Sequence, residues 1–453
     1  MLRVRTPPDF AGGTPLTTLT ELAETMQDLL TTTADELARS SGFVQRQRKV
    51  SGSNFAQTLV FTALADSKAP ESRLHATASL VGLNASRQAI DKRFNAKGVE
   101  FLRQLLGTAV AKVVATPVAI PLLQRFTSVV VFDSSTVALL DTLADVYRGG
   151  RSGTTTGAKA AVKLTVGADL NTGAILGPEL SDGRAADLSV ALAEEAPPCG
   201  GLQLADQGYF SLTKFGRWSR QGAYWLSRFK AGTAVYDDQK QRVDLLALLR
   251  AAGIKDVDLD VTLGSRERVA CRLIARRVPA EVAALRRKRY LETCQRRGNK
   301  FSALTLALCE WTVLVTNVPR GLLSVAEALV VARMRWQIEL IFKLWKSIGR
   351  IDEFRSQQPF ESLCEFFAKL LAEVIRHWVM VVGAWSRRDR SLTKAAAIVT
   401  TLAMTLAVAI RSVSRLRWVL SHARQMMQAT ARMEKRRAAP NAHDLIYCID
   451  PEP

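Results

Sequence analysis

Apolar residues recur at helical spacing in the first quarter of the chain. Between residues 16 and 40, leucines and one methionine return every three or four positions, which predicts an amphipathic helix. A second helical block is predicted from residue 54 to about residue 114. It is interrupted at 68–70 and 82–84, where Pro and Gly disfavour a continuous helix. This part of the chain is therefore predicted to be helical.

Residues 71–94 have the outline of a helix-turn-helix, with two short helical stretches around a turn. Ser86 is placed to cap the second helix, because its hydroxyl can accept a hydrogen bond from a free backbone amide. Arg87, Lys92 and Arg93 would then meet a DNA groove and its phosphates. An ordinary helical domain with a basic surface explains the same pattern.

From residue 125 the spacing of the apolar residues becomes typical of β-strands. One β-branched run ends in Asp133, and a shorter apolar run ends in Asp206. The predicted elements follow in the order strand 127–133, strand 161–170, strand 173–180, helix 185–195, strand 201–206, helix 212–221 and strand 223–229. The second and third strands flank a short turn and predict a hairpin. Strands alternating with helices describe an α/β sheet with helices on its faces.

After residue 230, changes in the pattern of polar and apolar residues divide the chain into further regions. A polar, strongly charged and alternating segment predicts an inserted, mainly β subdomain, closed by a strand over 311–317 and followed by one helix over 324–347. The predicted regions are a helical DNA-binding region 1–120, the first part of the core 121–230, the inserted subdomain 231–320, the helix completing the core 321–358 and a helical C-terminal region 359–453.

The charge balance points to a polyanionic partner. The 453 residues carry 62 Lys and Arg against 42 Asp and Glu, a formal net charge of +20. Nucleic acid is the partner that such a charge favours. A membrane surface is the rival, but the apolar run 395–410 is shorter than the ~20 residues of a spanning helix. The N-terminal residues also lack the apolar segment of a signal peptide. We expect a cytoplasmic, nucleoid-associated protein with no membrane partner.

Carboxylates are the candidate metal ligands, because the six cysteines and four histidines lack the spacing of a zinc site. Asp133 and Asp206 come first, since sheets of this class place their sites at strand ends. An ionised Asp beside an apolar strand also needs a cation or hydrogen-bond donors. Each could instead fix its own turn. Asp169, Asp182 and Asp187 are rivals for the second acid without the buried-strand context.

The predicted helix 324–347 separates its charges from its apolar residues. Arg335, Glu339, Lys343 and Lys346 fall on one side. The opposing stripe that can enter a core is Met334, Ile338, Ile341, Trp345 and Ile348. One carboxylate among three cations suits a site that binds both a metal ion and a phosphate. A solvated face with ion pairs between successive turns is the alternative.

Together these residues resemble the DDE transposases of the bacterial insertion-sequence-four family. That family's signature is Tyr, two residues, Arg, three residues, Glu, six residues and Lys, and Arg335, Glu339 and Lys346 match it. The segments similar to the family's other blocks are 131–136, 205–209 and 314–317. The blocks occur in the family's order, with an insertion before the Glu.

The resemblance implies an RNase H-like mixed sheet with helices on both faces, interrupted by the β insertion and flanked by helical regions. It implies Mg²⁺ or Mn²⁺ as the cofactor, with Asp133, Asp206 and Glu339 as catalytic metal ligands. The substrate would be double-stranded DNA, cleaved at the element ends and joined to target DNA. A homodimer is expected in the DNA-bound complex.

Further residues carry over from the resemblance as DNA contacts. Arg335 and Lys346, with Lys343 helping, would bind phosphates near the cut. Trp311 stands where some relatives have a Trp that occupies the space of a flipped base, and core packing is the alternative. Ala332 replaces the family Tyr and removes a phosphate contact. Two other functions therefore stay open: a catalytically impaired, DNA-binding or inhibitory protein, and a metal-dependent nuclease that never joins strands.

Overall fold

The computed structural model describes residues 18–46, 49–150, 158–187, 190–433 and 445–446. The chain forms two compact units, each built from three stretches. Unit 1 comprises Met1–Ala119, Ser134–Ala185 and Glu339–Arg437, and unit 2 comprises Ile120–Asp133, Ala186–Ile338 and Ala438–Pro453. The division falls directly after Asp133 and directly before Glu339.

The described residues form helices and strands throughout both units. The helices are α1 Leu19–Asp28, α2 Ala34–Ser40, α3 Gly52–Ala65, α4 Glu71–Leu80, α5 Arg87–Asp91, α6 Ala96–Val110, α7 Pro121–Gln124, α8 Leu212–Arg220, α9 Leu245–Ala252, α10 Ala280–Arg296, α11 Ala303–Leu308, α12 Val325–Met334, α13 Trp336–Ser347, α14 Pro359–Ala384, α15 Leu392–Ala409 and α16 Val413–Thr430. The strands are β1 Val129–Ala138, β2 Ala161–Asp169, β3 Ile175–Asp182, β4 Leu202–Ala205, β5 Tyr224–Arg228, β6 Val235–Tyr236, β7 Val257–Leu263, β8 Val269–Arg277 and β9 Trp311–Thr316. A π-helical turn, Leu29–Thr33, joins α1 to α2.

These strands form one mixed sheet in the order β3-β2-β1-β4-β5-β9-β8-β7-β6. In unit 1, β2 and β3 make the predicted antiparallel hairpin. In unit 2, β1, β4 and β5 run parallel, and β5 pairs antiparallel with β9. Strands β8, β7 and β6 continue antiparallel from β9. The predicted α/β class is confirmed, and the inserted strands extend the core sheet.

The inserted segment contains helices as well as strands. Its alternating pattern did not indicate α9, α10 and α11. The longest of these, α10, has 17 residues and carries the basic run 286–289. Pro279 at its N-cap position and Glu281 in its first turn are typical of a helix start, because Pro ends the preceding strand and an acid favours the helix N-terminus.

Helix α14 is the core of unit 1. Its residues 362–384 are all buried, and α3, α6, α15 and α16 pack against it. Because the chain folds around this helix, its charged residues are buried along with its apolar ones. Arg376 donates to Glu373 at 3.0 Å and to the backbone carbonyls of Leu64 and Ala396. Burial raises the pKa of the Glu373 carboxyl, and the Arg376 charge opposes that rise.

His377 is a buried titratable group on the same helix. Its Nε2 lies 2.7 Å from the carbonyl oxygen of Gly173. Burial lowers the pKa of His377 to about 4, and the hydrogen bond to the Gly173 carbonyl acts in the opposite direction. The folded protein therefore keeps this imidazole neutral where the unfolded chain, with an ordinary pKa of about 6.5, takes up a proton.

We expect this histidine to make the fold acid-sensitive. Its folded-state pKa is depressed, so its contribution is present above pH ~6.5 and is lost as the pH falls towards ~4. The loss of unfolding free energy attributable to it is about 3 kcal/mol. His377→Gln cannot titrate and can still donate to the Gly173 carbonyl. Urea unfolding of both proteins across this pH range checks the expectation, and an identical pH dependence in the two would contradict it.

Two elements predicted between residues 127 and 195 differ from the structure. Strand β1 continues to Ala138, so Asp133 lies within the strand instead of at its end, because β-branched Thr136 and Val137 extend the run. The helix predicted over 185–195 is wrong in the described part. A 3-10 turn, Ala191–Ala193, stands there, and residues 188–189 lie outside the described residues. Prolines at 197–198 disfavour a longer helix.

The second helix of the predicted helix-turn-helix is short. Ser86 caps α5 as predicted, accepting a hydrogen bond from the Ala89 amide. The helix ends at Asp91, because Asn95 uses its side chain to cap the next helix and the chain must first leave the helical path. Lys92 is the C-cap residue of α5.

One helix in the described residues, Leu392–Ala409, is long and apolar enough to cross a membrane by length and composition, and 44% of that window is buried inside the structure. This helix, α15, packs against α3, α14 and α16. The core helix of a soluble protein can have the same composition, so the expected absence of a membrane partner stays a prediction.

Candidate active site

The fold aligns the two predicted aspartates on neighbouring parallel strands of unit 2. Val131 of β1 is opposite Leu204 of β4. The same register carried two residues further sets Asp133 opposite Asp206, whose backbone is still extended. Neighbouring strands lie about 4.8 Å apart, and aligned side chains share a face of the sheet. The pairing of β1 with β4 therefore leads both aspartates to the same edge of the sheet.

Arg335 is the basic partner of Asp206. Its Nη1 lies 3.7 Å from Oδ2 of Asp206, and the two side chains are 20% and 38% exposed. The predicted single helix 324–347 divides at this residue into α12 and α13, although Arg335 keeps helical dihedral angles. Ser324 caps α12 through a reciprocal pair of hydrogen bonds with Glu327. The capped helix holds Arg335 in place.

The face of α13 in unit 1 carries the remaining predicted charges. The buried members of the predicted apolar stripe are Met334, Ile338, Ile341 and Trp345. With that stripe inward, Glu339 is half-buried and Lys343 is exposed. Nζ of Lys346 lies 3.4 Å from the carbonyl oxygen of Thr136 on β1. An ammonium has three donors, so Lys346 can bind a phosphate while it keeps this contact.

The donor chemistry of Asp133 and Asp206 fits a hard divalent cation. Mg²⁺ and Mn²⁺ prefer carboxylate and water oxygens, and the exposure of Asp206 leaves room for water or a phosphate oxygen. In the ranges that the structure describes, no three His, Cys, Asp or Glu side chains are grouped closely enough to hold a metal ion. The aligned pair therefore fits part of an octahedral oxygen shell.

Residues 124–375 match the family model for the transposase DDE domain. The chain belongs to the DDE transposase family. It is 27% identical over 363 residues to the transposase for insertion sequence element IS231B of Bacillus thuringiensis subsp. berliner, covering 75% of each chain. It is 23% identical over 360 residues to the transposase for IS1151 of Clostridium perfringens, covering 75% of this chain and 76% of the relative. The resemblance to the insertion-sequence-four transposases is confirmed.

A third relative matches a shorter stretch. The putative transposase InsL for element IS186A of Escherichia coli (strain K12) is 29% identical over 225 residues, covering 48% of this chain and 60% of the relative. The family model begins five residues before β1 and ends within α14. The stretch that matches the family model therefore contains Asp133, Asp206 and Glu339.

Sequence reasoning missed Arg228 and Arg333, two arginines of this DDE transposase whose charges act on Arg286 in unit 2. Burial, followed by the charges of Arg228 and Arg333, lowers the pKa of Arg286, and the nearby Cys309 acts in the opposite direction. Arg286 also donates to the backbone carbonyl of Trp311 at 3.0 Å. Among the described residues, neither Arg228 nor Arg333 forms an ion pair with a carboxylate. Like charges held together in this way favour a bound anion.

Arg228 stands in line with the aspartates. Ala205 of β4 is opposite Ser227 of β5, so the same register sets Asp206 opposite Arg228. Its position at the end of a parallel strand is the signal that could have indicated it, because strand ends at one edge of a sheet share a site. Arg333 lies in the last turn of α12, two residues before the C-cap residue Arg335. Arg333 and Arg228 are far apart in the sequence, and the fold brings the charges of both to act on Arg286.

The other residues predicted to contact DNA differ in how buried they are and in which residues they contact. Trp311 is 5% exposed at the start of β9, which is the environment that the core-packing interpretation requires. Arg87 forms an ion pair with Glu71. Arg93 donates to the carbonyl oxygen of Phe43 at 2.9 Å and lies over the Phe43 ring. Lys92 is exposed. Arg87 and Arg93 therefore already contribute to the fold through these contacts.

Asp187 is the rival acid that the fold brings nearest to the turn after β4. A β-carbon built on Gly208 would lie 3.2 Å from Oδ2 of Asp187. Gly208 belongs to the 3-10 turn Gln207–Tyr209 that directly follows Asp206. Asp169 instead accepts hydrogen bonds from Asn171 and Thr172 in the β2–β3 turn. Asp187 is therefore the acid that experiments must separate from Asp206.

Proposed function

We propose that the chain binds the ends of an insertion sequence, cleaves the DNA there by metal-dependent phosphoryl transfer, and joins the freed 3′ ends to target DNA. The observation that carries this proposal is the parallel pairing of β1 with β4, whose register, continued two residues beyond its last pair, would bring Asp133 level with Asp206. Membership of the DDE transposase family supports the reaction class. A cytoplasmic location and a homodimer in the DNA-bound complex belong to the same proposal.

Asp133, Asp206 and Glu339 are proposed as the ligands of Mg²⁺ or Mn²⁺. When bound, such an ion polarises a phosphoryl oxygen and lowers the pKa of a nucleophilic water or hydroxyl. The contribution of Asp133 and Asp206 is their spacing. The pairing of β1 with β4 ends at Val131 and Leu204, two residues before the carboxylates, so it fixes the strand segments that lead to both side chains.

Cations around the carboxylates are proposed to hold the DNA backbone. Arg335 orients Asp206, and its remaining guanidinium donors can bind a phosphate in the planar geometry that Arg favours. Lys346, with Lys343, is proposed for a phosphate near the cut. Arg228 and Arg333 are added to this set because their charges lie close to Arg286. The proposed role of these side chains is to fix the phosphate before bond cleavage.

The proposal is tested with the full chain, Mg²⁺ and a plasmid carrying a marker between the element's own terminal repeats. Excised marker and products joined to a second plasmid would support it. Nicked ends without joined products would instead indicate a metal-dependent nuclease. Binding of the terminal repeats without any cleavage would indicate a DNA-binding or inhibitory protein. Omission of the metal should stop every cleavage product and leave binding in place.

A catalytically impaired transposase is the second candidate, because Ala332 occupies the family's Tyr position. Ala332 lies on α12, one turn before Arg335. Its methyl group cannot donate to a phosphate as a phenol can. Without this phenol the protein has one fewer contact to a DNA phosphate, whereas the proposed metal ligands are unchanged. The plasmid assay separates this candidate, which binds ends without cutting them.

Replacing Arg228 and Arg333 together with Gln is expected to weaken DNA binding by about tenfold at moderate salt. The slope of log affinity against log salt should become shallower by about 2, because the variant neutralises two fewer phosphates. The melting temperature should stay the same or rise, because the change relieves repulsion on Arg286. Fluorescence anisotropy and thermal melts measure these quantities. A lowered melting temperature with unchanged salt slope would mean that the two arginines act only in folding.

A further inference from the structure

The C-terminal part of unit 1 carries an unbalanced positive charge. From residue 390 to residue 433 the chain contains no Asp or Glu. The cations in this stretch are Arg390, Lys394, Arg411, Arg415, Arg417, Arg424 and Arg432. These seven are a large share of the net charge of +20. None belongs to the proposed active site. Arg432 forms an ion pair with Asp389, so the partner in question is that of the arginines on α16.

Three of these arginines lie on the exposed face of α16. Arg415, Arg417 and Arg424 are exposed, and in the described part of the chain none of them forms an ion pair. Helix α1 packs against α16 and carries Glu21, Glu24 and Asp28. Glu21 accepts hydrogen bonds from Thr18, and among the described residues neither Glu24 nor Asp28 forms an ion pair with these arginines. Exposed arginines without carboxylate partners are available to an external anion.

Helical spacing arranges these three arginines and His422 in two rows. Arg417 and Arg424 are seven residues apart, and so are Arg415 and His422, so each pair lies on one flank about 10 Å apart along the axis. Trp418 stands between the rows and is 66% exposed. Its indole stacks on the His422 ring, with centroids 5.8 Å apart and planes 1° from parallel. The face therefore combines flanking cations with a central aromatic ring.

An apolar hollow continues this face towards α15. It has a volume of about 600 Å³ and is lined by Leu80, Met404, Val408 and Trp418 among others. Val408 is 51% exposed and Leu80 is 45% exposed. A partner seated on the arginine rows would cover part of this surface. The partner must therefore present negative charge at two edges and a less polar surface between them.

We propose that α16 binds a segment of duplex DNA, with Arg415, Arg417 and Arg424 on phosphates and Trp418 towards the floor of the groove. A helix with side chains is about 10–12 Å across, close to the ~12 Å width of the major groove. Cations on both flanks can then reach both phosphate walls. The inference rests on the proposed function, since it supplies a transposase with a second, sequence-independent hold on DNA.

The charge of this face favours DNA over a second copy of the chain. In a two-fold contact the same patch meets itself, so the arginines of α16 would face each other with no acid from 390–433 between them. An anionic lipid surface would satisfy the arginines as well. Duplex DNA also matches the two-row arrangement, because its phosphates run along both edges of a groove.

The test uses the full-length protein and a fluorescein-labelled duplex of mixed sequence without the terminal repeats. The triple variant Arg415→Gln, Arg417→Gln, Arg424→Gln is expected to bind at least about tenfold more weakly at moderate salt. Its slope of log affinity against log salt should be shallower by about 3. The matched control changes three exposed cations of unit 2, Arg250, Lys255 and Arg266, to Gln. It has the same net charge and should change the slope by less than about 1.

Trp418→Ala separates the aromatic contact from the charges. We expect its affinity for the duplex to fall about three- to tenfold without a change in salt slope, and Trp418→Tyr to recover most of the loss. Circular dichroism should report an unchanged fold in every variant. Equal affinities in the triple variant and its control would overturn the inference. Tighter binding to a single strand of the same sequence would also overturn the groove geometry.

Two other partners are outcomes that would overturn the inference. Loss of binding to phosphatidylglycerol vesicles in the triple variant, with duplex binding intact, would assign the face to lipid. A change in oligomeric state with Trp418→Ala, again with duplex binding intact, would assign it to self-association. Cleavage of the terminal-repeat plasmid is measured in parallel at saturating protein. Wild-type protein that binds the mixed duplex through α16 but never cleaves would defeat the proposed function and leave this inference standing.

Discussion

Replacing Asp206 with Asn is expected to reduce DNA cleavage at least about 10³-fold, because a neutral amide is a poor ligand for a hard divalent cation. The change keeps the shape of the side chain and removes one negative charge. Binding to the terminal repeats should therefore stay within about threefold of wild type or tighten, since repulsion of phosphate falls. Cleavage is measured under saturating protein by the rate of strand scission, and binding by anisotropy.

Three further variants make this result specific. Asp133→Asn and Glu339→Gln should show the same loss of cleavage with binding retained. Asp145→Asn changes an exposed Asp in unit 1 and should cleave at the wild-type rate. Asp187→Asn tests the rival acid near Gly208. A loss of cleavage in Asp187→Asn together with normal cleavage in Asp206→Asn would transfer the second ligand to Asp187.

Replacing Arg376 with Met is expected to destabilise the fold by about 3–5 kcal/mol, because it leaves the Glu373 carboxylate buried without its cation. Both side chains are 1% exposed in their ion pair. Arg376 also joins three helices, since it donates to carbonyls on α3 and α15 as well as to its own neighbour on α14. Equilibrium urea unfolding followed by circular dichroism measures the loss.

The double variant Glu373→Leu, Arg376→Met should recover part of that loss, because an apolar pair needs no desolvation of charge. Burial raises the pKa of Glu373, and without Arg376 this carboxyl should take up a proton on folding. The folded state then binds more protons than the unfolded state, so the deficit of the single variant should grow as the pH rises. Arg276→Met breaks an exposed pair with Asp256 and should cost less than about 1 kcal/mol. A similarly small cost for Arg376→Met would contradict the role assigned to the buried pair.

The sequence predicted those elements in which the apolar residues have a clear period. The β2–β3 hairpin, the strand before Asp206, the cap at Ser86 and the apolar stripe of α13 all depend on residues near in sequence. Elements without such a period were missed or misjudged. The helices of the inserted segment are polar on most sides, and residues 185–195 have a helical composition that two following prolines oppose.

For the candidate site, the sequence indicated the aspartates and the charged face of α13, and the family resemblance added their roles. It did not indicate Arg228 or Arg333. Neither residue belongs to the signature, and each has an ordinary local pattern. Their effect on Arg286 joins residues of β5, α10 and α12, which are far apart in the sequence. The surplus of cations in 390–433 was visible in the sequence, but its arrangement in two rows around Trp418 required the exposed face of α16.

By itself the sequence determined the α/β class, the basic charge, the alternation of strands and helices, and the acids at or near strand ends. These features depend on composition and on short-range periodicity, and both can be read from one segment without knowing what packs against it. The tertiary structure decided the parallel pairing of β1 with β4, the effect of Arg228 and Arg333 on Arg286, and the burial of α14. Each of these joins residues far apart in sequence. Strand register and helix packing depend on which surfaces meet, and the period of one segment does not specify its neighbours.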